Sequence, residues 1–252
     1  MGDVRAVPAH HEVVKACRDF ESPQCEEAIG SLSNGSVYRA SESLKWVFSN
    51  ARQPGAIDAA SGVVAHFVQR ANDERRLRPA VRSILTHAME EAPGFTSEYE
   101  PFDGMEFDLG SDLFDALMRR FAKGSWLSGS LLISRAKPNQ LRRNVTIFRR
   151  LMDEKAFAGG YHVYVRAAWL YWRAASRTDR ERVDMITDAL ENSDDRLMRC
   201  GAALELRHFV DEPGLSSQVR GALHMAAEED DYGVVRSVAD DVLQGEMTSC
   251  WQ

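Results

Sequence analysis

Asp195-Arg-Leu-Met-Arg-Cys-Gly-Ala-Ala-Leu-Glu-Leu206 and Tyr232-Gly-Val-Val-Arg-Ser-Val-Ala-Asp-Asp-Val-Leu243 carry one pattern twice. In each, an apolar residue precedes an arginine (Met198-Arg199, Val235-Arg236), an alanine follows (Ala202, Ala239), and a leucine closes the run (Leu206, Leu243). Spacings of three and four place these positions along a helix face. Asp195 opens the first copy, and Asp231 stands one place upstream of the equivalent position in the second. The two arginines are 37 residues apart, the length of a helix pair that recurs as a unit.

Working outward, nearly every segment has helical periodicity and strand-like alternation is scarce. The spacing predicts helices over 9–20, 23–32, 36–50, 54–71, 79–91, 110–123, 138–157, 160–176, 179–191, 195–210, 214–228 and 231–244. Ser22-Pro23, Gln53-Pro54, Arg78-Pro79 and Lys137-Pro138 place proline where a helix can start. Thr178-Asp-Arg-Glu181 fits a capping box. Two connections are long: 92–109, and Gly124-Ser-Trp-Leu-Ser-Gly-Ser130 with the few residues after it. Further arginines that follow an apolar or aromatic residue are Arg39, Arg82 and Arg166.

The pattern resembles the second helix of a HEAT repeat, most clearly over 179–245, less so over 36–91 and 160–176, and poorly over 92–158. The resemblance implies an all-α fold, a right-handed α-α superhelix of about five or six antiparallel helix pairs, with an irregular acidic and aromatic insertion near 92–109. It implies a single repeat domain over 1–252, with halves 1–91 and 110–245 joined by that insertion. In the family, the aspartate caps the second helix and the arginine joins a polar ladder. Asp195 with Arg199, and Asp231 with Arg236, are expected to do the same. Signatures of tetratricopeptide and ankyrin repeats are absent.

A net charge of −7 gives no overall basic signature for nucleic acid. Cys17, Cys25, Cys200 and Cys250 form no C-x-x-C pair and no metal-ligand spacing. With no apolar stretch of signal-peptide or membrane-spanning length, the chain reads as cytoplasmic, with buried, free thiols.

Charge changes sign abruptly in mid-chain. Nine acidic residues and no basic one lie between Glu90 and Asp115; nine basic residues and no acidic one lie between Ala116 and Met152. Tyr99, Phe102, Met105, Phe107 and Leu109 are interleaved with the acids. One reading is that these apolar side chains pin the segment down while its acids face the basic helix 138–157. The other is that Tyr99, Phe102, Asp103, Glu106, Phe107 and Asp108 present an acidic, aromatic surface to a partner. Arg142, Arg149 and Arg150 are either a solvated helix face or a phosphate-contacting one. Tyr164, Arg166, Trp169 and Arg173 belong to the densest aromatic cluster, which is core packing between repeats or a concave binding face.

No pattern names a reaction. Glu205-Leu-Arg-His208 has the E-x-x-H spacing of di-iron helices but no second copy, and His224 with Glu228 lacks a third ligand. No catalytic residue, cofactor or metal is assigned. The first reading is a non-enzymatic helical-repeat protein that binds a partner protein, basic in character. It would be an adaptor or scaffold, with an immunity or antitoxin-type inhibitor as a special case. The second is a HEAT-like nucleic-acid-binding protein or DNA glycosylase-like enzyme. The third is an enzyme of unrecognised helical type.

Overall fold

A computed structural model describes residues 7–92, 100–154 and 161–250; these are helical, with no strand among them. The chain divides into two compact units. The first runs to Phe121 and includes Ser134–Ala136; the second comprises Ala122–Ile133 and the chain from Lys137 onward. The boundary falls beside Ala122, and the acidic segment 100–109 lies inside the first unit.

The first unit contains α1 (His10–Ala16), α2 (Pro23–Ser31), α3 (Val37–Asn50), α4 (Pro54–Asp73), α5 (Arg78–Glu91), the short α6 (Glu100–Asp103) and α7 (Gly110–Ala122). Helix α3 packs on α1, α4 and α5, and α4 packs on α2, α5 and α6. Proline sits in the first turn of α2, α4 and α5, where its missing N–H costs nothing. Three side chains on one face of α3 reach α5 or the turn before it. Tyr38 donates to the Arg76 carbonyl (2.8 Å), Lys45 to Ser83 Oγ (2.7 Å), and Ser49 Oγ meets His87 Nε2 (2.8 Å). Each bond joins residues 38 apart, so one register holds along the whole helix.

The second unit contains α8 (Trp126–Arg135), α9 (Pro138–Arg142), α10 (Val145–Asp153), α11 (Tyr161–Ala175), α12 (Asp179–Asn192), α13 (Arg196–Leu206), α14 (Ser216–Glu229) and α15 (Gly233–Gln244). Helices α11, α13 and α15 pack in a row. In a second row, α12 packs on α14 as well as on α11 and α13, and α14 packs on α15. Trp169 Nε1 donates to the Gly201 carbonyl and Arg173 Nε to Glu205 Oε1, both at a separation of 32. In the second row, Gln218–Asp184 and Arg180–Gly214 are both 34 apart.

Two predicted elements are corrected. The long connection after Gly124 is the helix α8. Ser125 Oγ accepts from Ser128 N, and Leu127, Leu131 and Leu132 are buried, which outweighs the poor propensity of its serines and glycine. The predicted helix 138–157 breaks at Asn144. Its side-chain amide donates to the Gln140 carbonyl, the acceptor its own N–H would take in an unbroken helix. That N–H turns to Leu141 O instead (2.9 Å). The described part of that helix ends at Asp153.

At Thr178 the hydroxyl accepts from Glu181 N as expected, but Glu181 reaches back to Arg177 N, one residue before the cap. The cysteines are also corrected. Cys17 is bonded to Cys25 and Cys200 to Cys250, and no free thiol remains among the described residues. Cys200 lies on α13 and Cys250 beyond α15, so the second bond ties the chain past the last helix to the unit's central one.

Ala202 and Ala239 are fully buried, as the repeat pattern requires. Ala202→Asp and Ala239→Asp each bury an unpaired carboxylate at a helix contact. Each is expected to lower unfolding free energy by about 3 kcal/mol or more in urea titrations. Cys200→Ser with Cys250→Ser opens a loop whose ends are 50 residues apart. The double variant is expected to lose about 3–4 kcal/mol, and dithiothreitol to reproduce the loss in the native chain.

Candidate partner-binding surface

The carboxylate that Arg199 holds is Asp230. Asp195 caps α13, its carboxylate accepting from Leu197 N (2.9 Å). Arg199 donates to the Ser193 carbonyl at the end of α12 and grips Asp230 at the end of α14 with Nε and Nη2 (2.7 and 3.2 Å). Asp230 also accepts from Tyr232 N, and its carbonyl accepts from Arg236 Nη1. Both arginines therefore bind the carbonyl six residues earlier, the C-cap of the preceding helix. Asp231 is exposed and gives α15 no side-chain cap. Burial pushes the Asp230 carboxyl up, but the hydrogen bonds from Arg199 and Tyr232 N and the nearby guanidinium charges outweigh it and hold it below the usual carboxylate range.

Most residues singled out in the sequence are structural. Phe102, Phe107 and Tyr164 are core residues. The Tyr164 hydroxyl is pushed up to about 12, first by burial and then by the charge of Asp195, to which it is hydrogen bonded. Trp169 and Arg173 make the α11–α13 bonds above, and Arg173 also donates to the Ile133 carbonyl (2.8 Å). Arg166 bonds Ser130 Oγ (2.7 Å) and stacks on Trp126. Glu205, nearly fully buried, is the partner of Arg173, and His208 lies 3.9 Å from its other oxygen. Tyr99 and the Asp103 side chain lie outside the described residues.

The charge block is resolved locally. Met105, Phe107 and Leu109 are buried, which pins the acidic segment. Its cationic neighbours among the described residues lie within the first unit. Arg82 takes the Asp108 carboxylate (2.7 Å) and carbonyl (2.9 Å), Arg119 pairs with Glu90, and Arg135 donates to the carbonyls of Phe102 and Met105. Asn72 closes the segment from the other side, donating to Gly104 O and accepting from Glu106 N. In the basic half, Arg149 and Arg150 pair with Asp153 and Glu154 one turn on (3.5 and 3.9 Å). Arg142 is exposed and Glu106 likewise.

Three hollows open on the surface of the described residues. In the first unit, one of 370 Å³ is bordered by Lys45, Arg82, His87, Glu90 and the start of α7 at Gly110–Leu113, with cations and carboxylates both present. In the second unit, a cleft of 510 Å³ has a floor of Met152, Tyr171, Trp172, Met185 and Met198 and carries Asp153 and Asp188 at its rim. A smaller hollow of 170 Å³ on the other side of α12 is bordered by Glu191, Met225 and Glu229, with Met225 more than half exposed. Sequence reading named part of this face, since Tyr164 lines the cleft and belongs to the aromatic cluster read as core packing or a concave binding face; it missed Met152, Asp153, Met185 and Asp188, which come from α10 and α12. The available signal was the stretch of α12 after Arg182, which carries Asp184, Asp188 and Glu191 and no basic residue.

Arg199→Ala strands the Asp230 carboxylate and is expected to cost about 3–5 kcal/mol. Because the folded carboxyl is depressed, its stabilisation is present above the unfolded carboxylate pKa and is lost as pH falls through the folded one. Asp230→Asn is therefore expected to flatten the acid limb of stability against pH in urea titrations, while leaving the limb above neutrality unchanged.

No family model matches this chain, and no curated protein and no solved structure matches it.

Proposed function

We propose that this chain is a HEAT-like helical-repeat protein, a right-handed superhelix of helix pairs, that binds a partner protein through its surface as an adaptor or scaffold. An immunity or antitoxin-type inhibitor is the special case in which the partner is a toxin. The observation that carries the reading is the open cleft of the second unit, a methionine and aromatic floor with carboxylates at its edge. Exposed apolar surface of this kind, rimmed by polar groups, marks interaction sites, and methionine adapts to the shape of what covers it. Constant registers of 38 residues between α3 and α5 and of 32 between α11 and α13 support the repeat architecture. The charge balance favours a protein over nucleic acid as partner: Arg149 and Arg150 each lie beside a carboxylate one turn on, and the chain carries a net charge of −7, which disfavours long-range attraction of phosphates.

The two disulfides bear on compartment. No helix of the described residues is long and apolar enough to cross a membrane. The chain was expected to be cytoplasmic with free thiols, but its cysteines are paired, and disulfides persist where the environment is oxidising. We infer that the chain works in an oxidising compartment.

The immobilised chain, kept oxidised, is expected to retain one dominant protein from a native extract with nuclease present, and to form a defined complex with that protein once it is purified. Retention that vanishes with nuclease, or binding of duplex DNA that falls steeply with salt, would overturn the reading in favour of nucleic acid.

A further inference from the structure

The cleft and the hollow beside it lie at the carboxyl ends of three helices. Met152 and Asp153 end α10; Asp188, Ala189 and Asn192 belong to the last turn or so of α12, with Ser193 as its C-cap; and Glu229 ends α14, with Asp230 as its C-cap. A helix terminus of this polarity carries partial negative charge on its free carbonyls, and proteins commonly balance it with lysine or arginine in the last turn. Neither α12 nor α14 has a basic residue there. Both add carboxylates instead. Asp188, Glu191 and Glu229 have no cationic partner among the described residues. Asp188 accepts only the amide of Asn192 (2.9 Å).

Between these carboxylates the surface is apolar and compliant. Met152 and Met185 are half-buried at the cleft, and Met225 stands out on the far side of α12. Tyr171 already holds one guanidinium, Arg149, 6.0 Å from its ring centre, so the aromatic wall accepts a cation at its face. An acidic partner would meet uncompensated carboxylates and helix termini of its own sign. An uncharged apolar partner would strip water from the carboxylates without replacing it. The geometry points to one occupant: a basic amphipathic helix of a partner protein, its large apolar side chains on the methionine floor and its lysines or arginines against Asp153, Asp188, Glu191 and Glu229. This rests on the protein-binding reading and names the chemistry of the partner and its seat.

The test uses a fluorescently labelled 14-residue peptide of leucine and lysine, with leucines on one helical face, and a counterpart with glutamate for every lysine. Anisotropy is measured against the full oxidised chain. The lysine peptide is expected to bind, more weakly as salt rises, and the glutamate peptide at least tenfold more weakly or not at all. Asp153→Asn with Asp188→Asn, both exposed and outside the core, is expected to weaken the lysine peptide by about tenfold with the melting temperature unchanged. Met185→Gln should weaken it independently of salt. Equal binding of the two peptides, or an affinity untouched by both variants, would overturn the assignment. So would sedimentation showing the face covered by a second copy in a dimer that Met185→Gln dissociates. If the double variant still retains the native protein partner as well as the parent chain does, the cleft is overturned as its seat while the protein-binding reading stands. Binding of the lysine peptide at the cleft, without any retained native protein, keeps the cleft assignment and sinks the capture result on which the broader reading depends.

Discussion

An amphipathic helix in this chain has more apolar surface than one neighbour can cover, and α13 shows how far that goes. Eight of its eleven residues are buried, from Met198 to Leu206 with Arg199 as the exception in between. Such a helix cannot exist at an edge. It is enclosed by α11, α12 and α15, and its composition follows from that enclosure. Small residues occupy the tight side: a Cβ on Gly201 would stand 2.6 Å from Val165 Cγ1, and the Gly201 carbonyl takes the Trp169 indole N–H. Close approach of α11 and α13 sets the spacing in which the remaining helices of the second unit, and the Cys200–Cys250 bond, find their places.

Packing helices against one another leaves many helix ends against other elements, and each end carries carbonyls without partners. Arginine resolves this repeatedly. Arg70 binds the Gly35 carbonyl, Arg78 those of Ala71 and Asn72, Arg120 that of Ala92, Arg173 that of Ile133, Arg199 that of Ser193 and Arg236 that of Asp230. A guanidinium offers five donors in a rigid fork and can hold a carbonyl and a carboxylate together, as Arg82, Arg173 and Arg199 do. Lysine, with a single ammonium, could not span both. The excess of arginine over lysine in this chain thus has a structural use.

What was legible in the sequence was local. The periodicity of α13 and α15, the Asp195 cap, the Thr178 cap and the helix-starting prolines depend on residues within a turn or two of each other. What was hidden depends on distance in the chain. Asp230 was missed because its role is set by Arg199, 31 residues away, whereas the pattern drew attention to Asp231. The disulfides join cysteines 8 and 50 apart, spacings that carry no signature. Helix α8 was read as a loop from its glycines and serines, because burial of Leu127, Leu131 and Leu132 is a tertiary fact. The acids of the middle segment were expected to face helix 138–157; among those described, Asp108 pairs with Arg82 and Glu90 with Arg119. The cleft was legible only in part: Tyr164 and its neighbours on α11 stood out as an aromatic cluster, whereas Met152 and Met185 come from other helices.

The distribution of charge left after folding bears on the proposed function more than the net value does. Of the mid-chain arginines, Arg119, Arg149 and Arg150 lie beside carboxylates, so the strongest positive run in the sequence is partly balanced in the structure. The carboxyl ends of α12 and α14 keep their acids and lack the cations that would balance them, beside an open cleft with a methionine and aromatic floor. Balancing charges there would cost the fold nothing, since the last turns are exposed and a lysine suits them. Leaving them unbalanced costs the isolated chain a little stability through mutual repulsion, and that repulsion is relieved only when a cation arrives from outside. A face that is apolar in the middle and negative at its rim therefore favours a partner whose own stripe is apolar in the middle and positive at its edges.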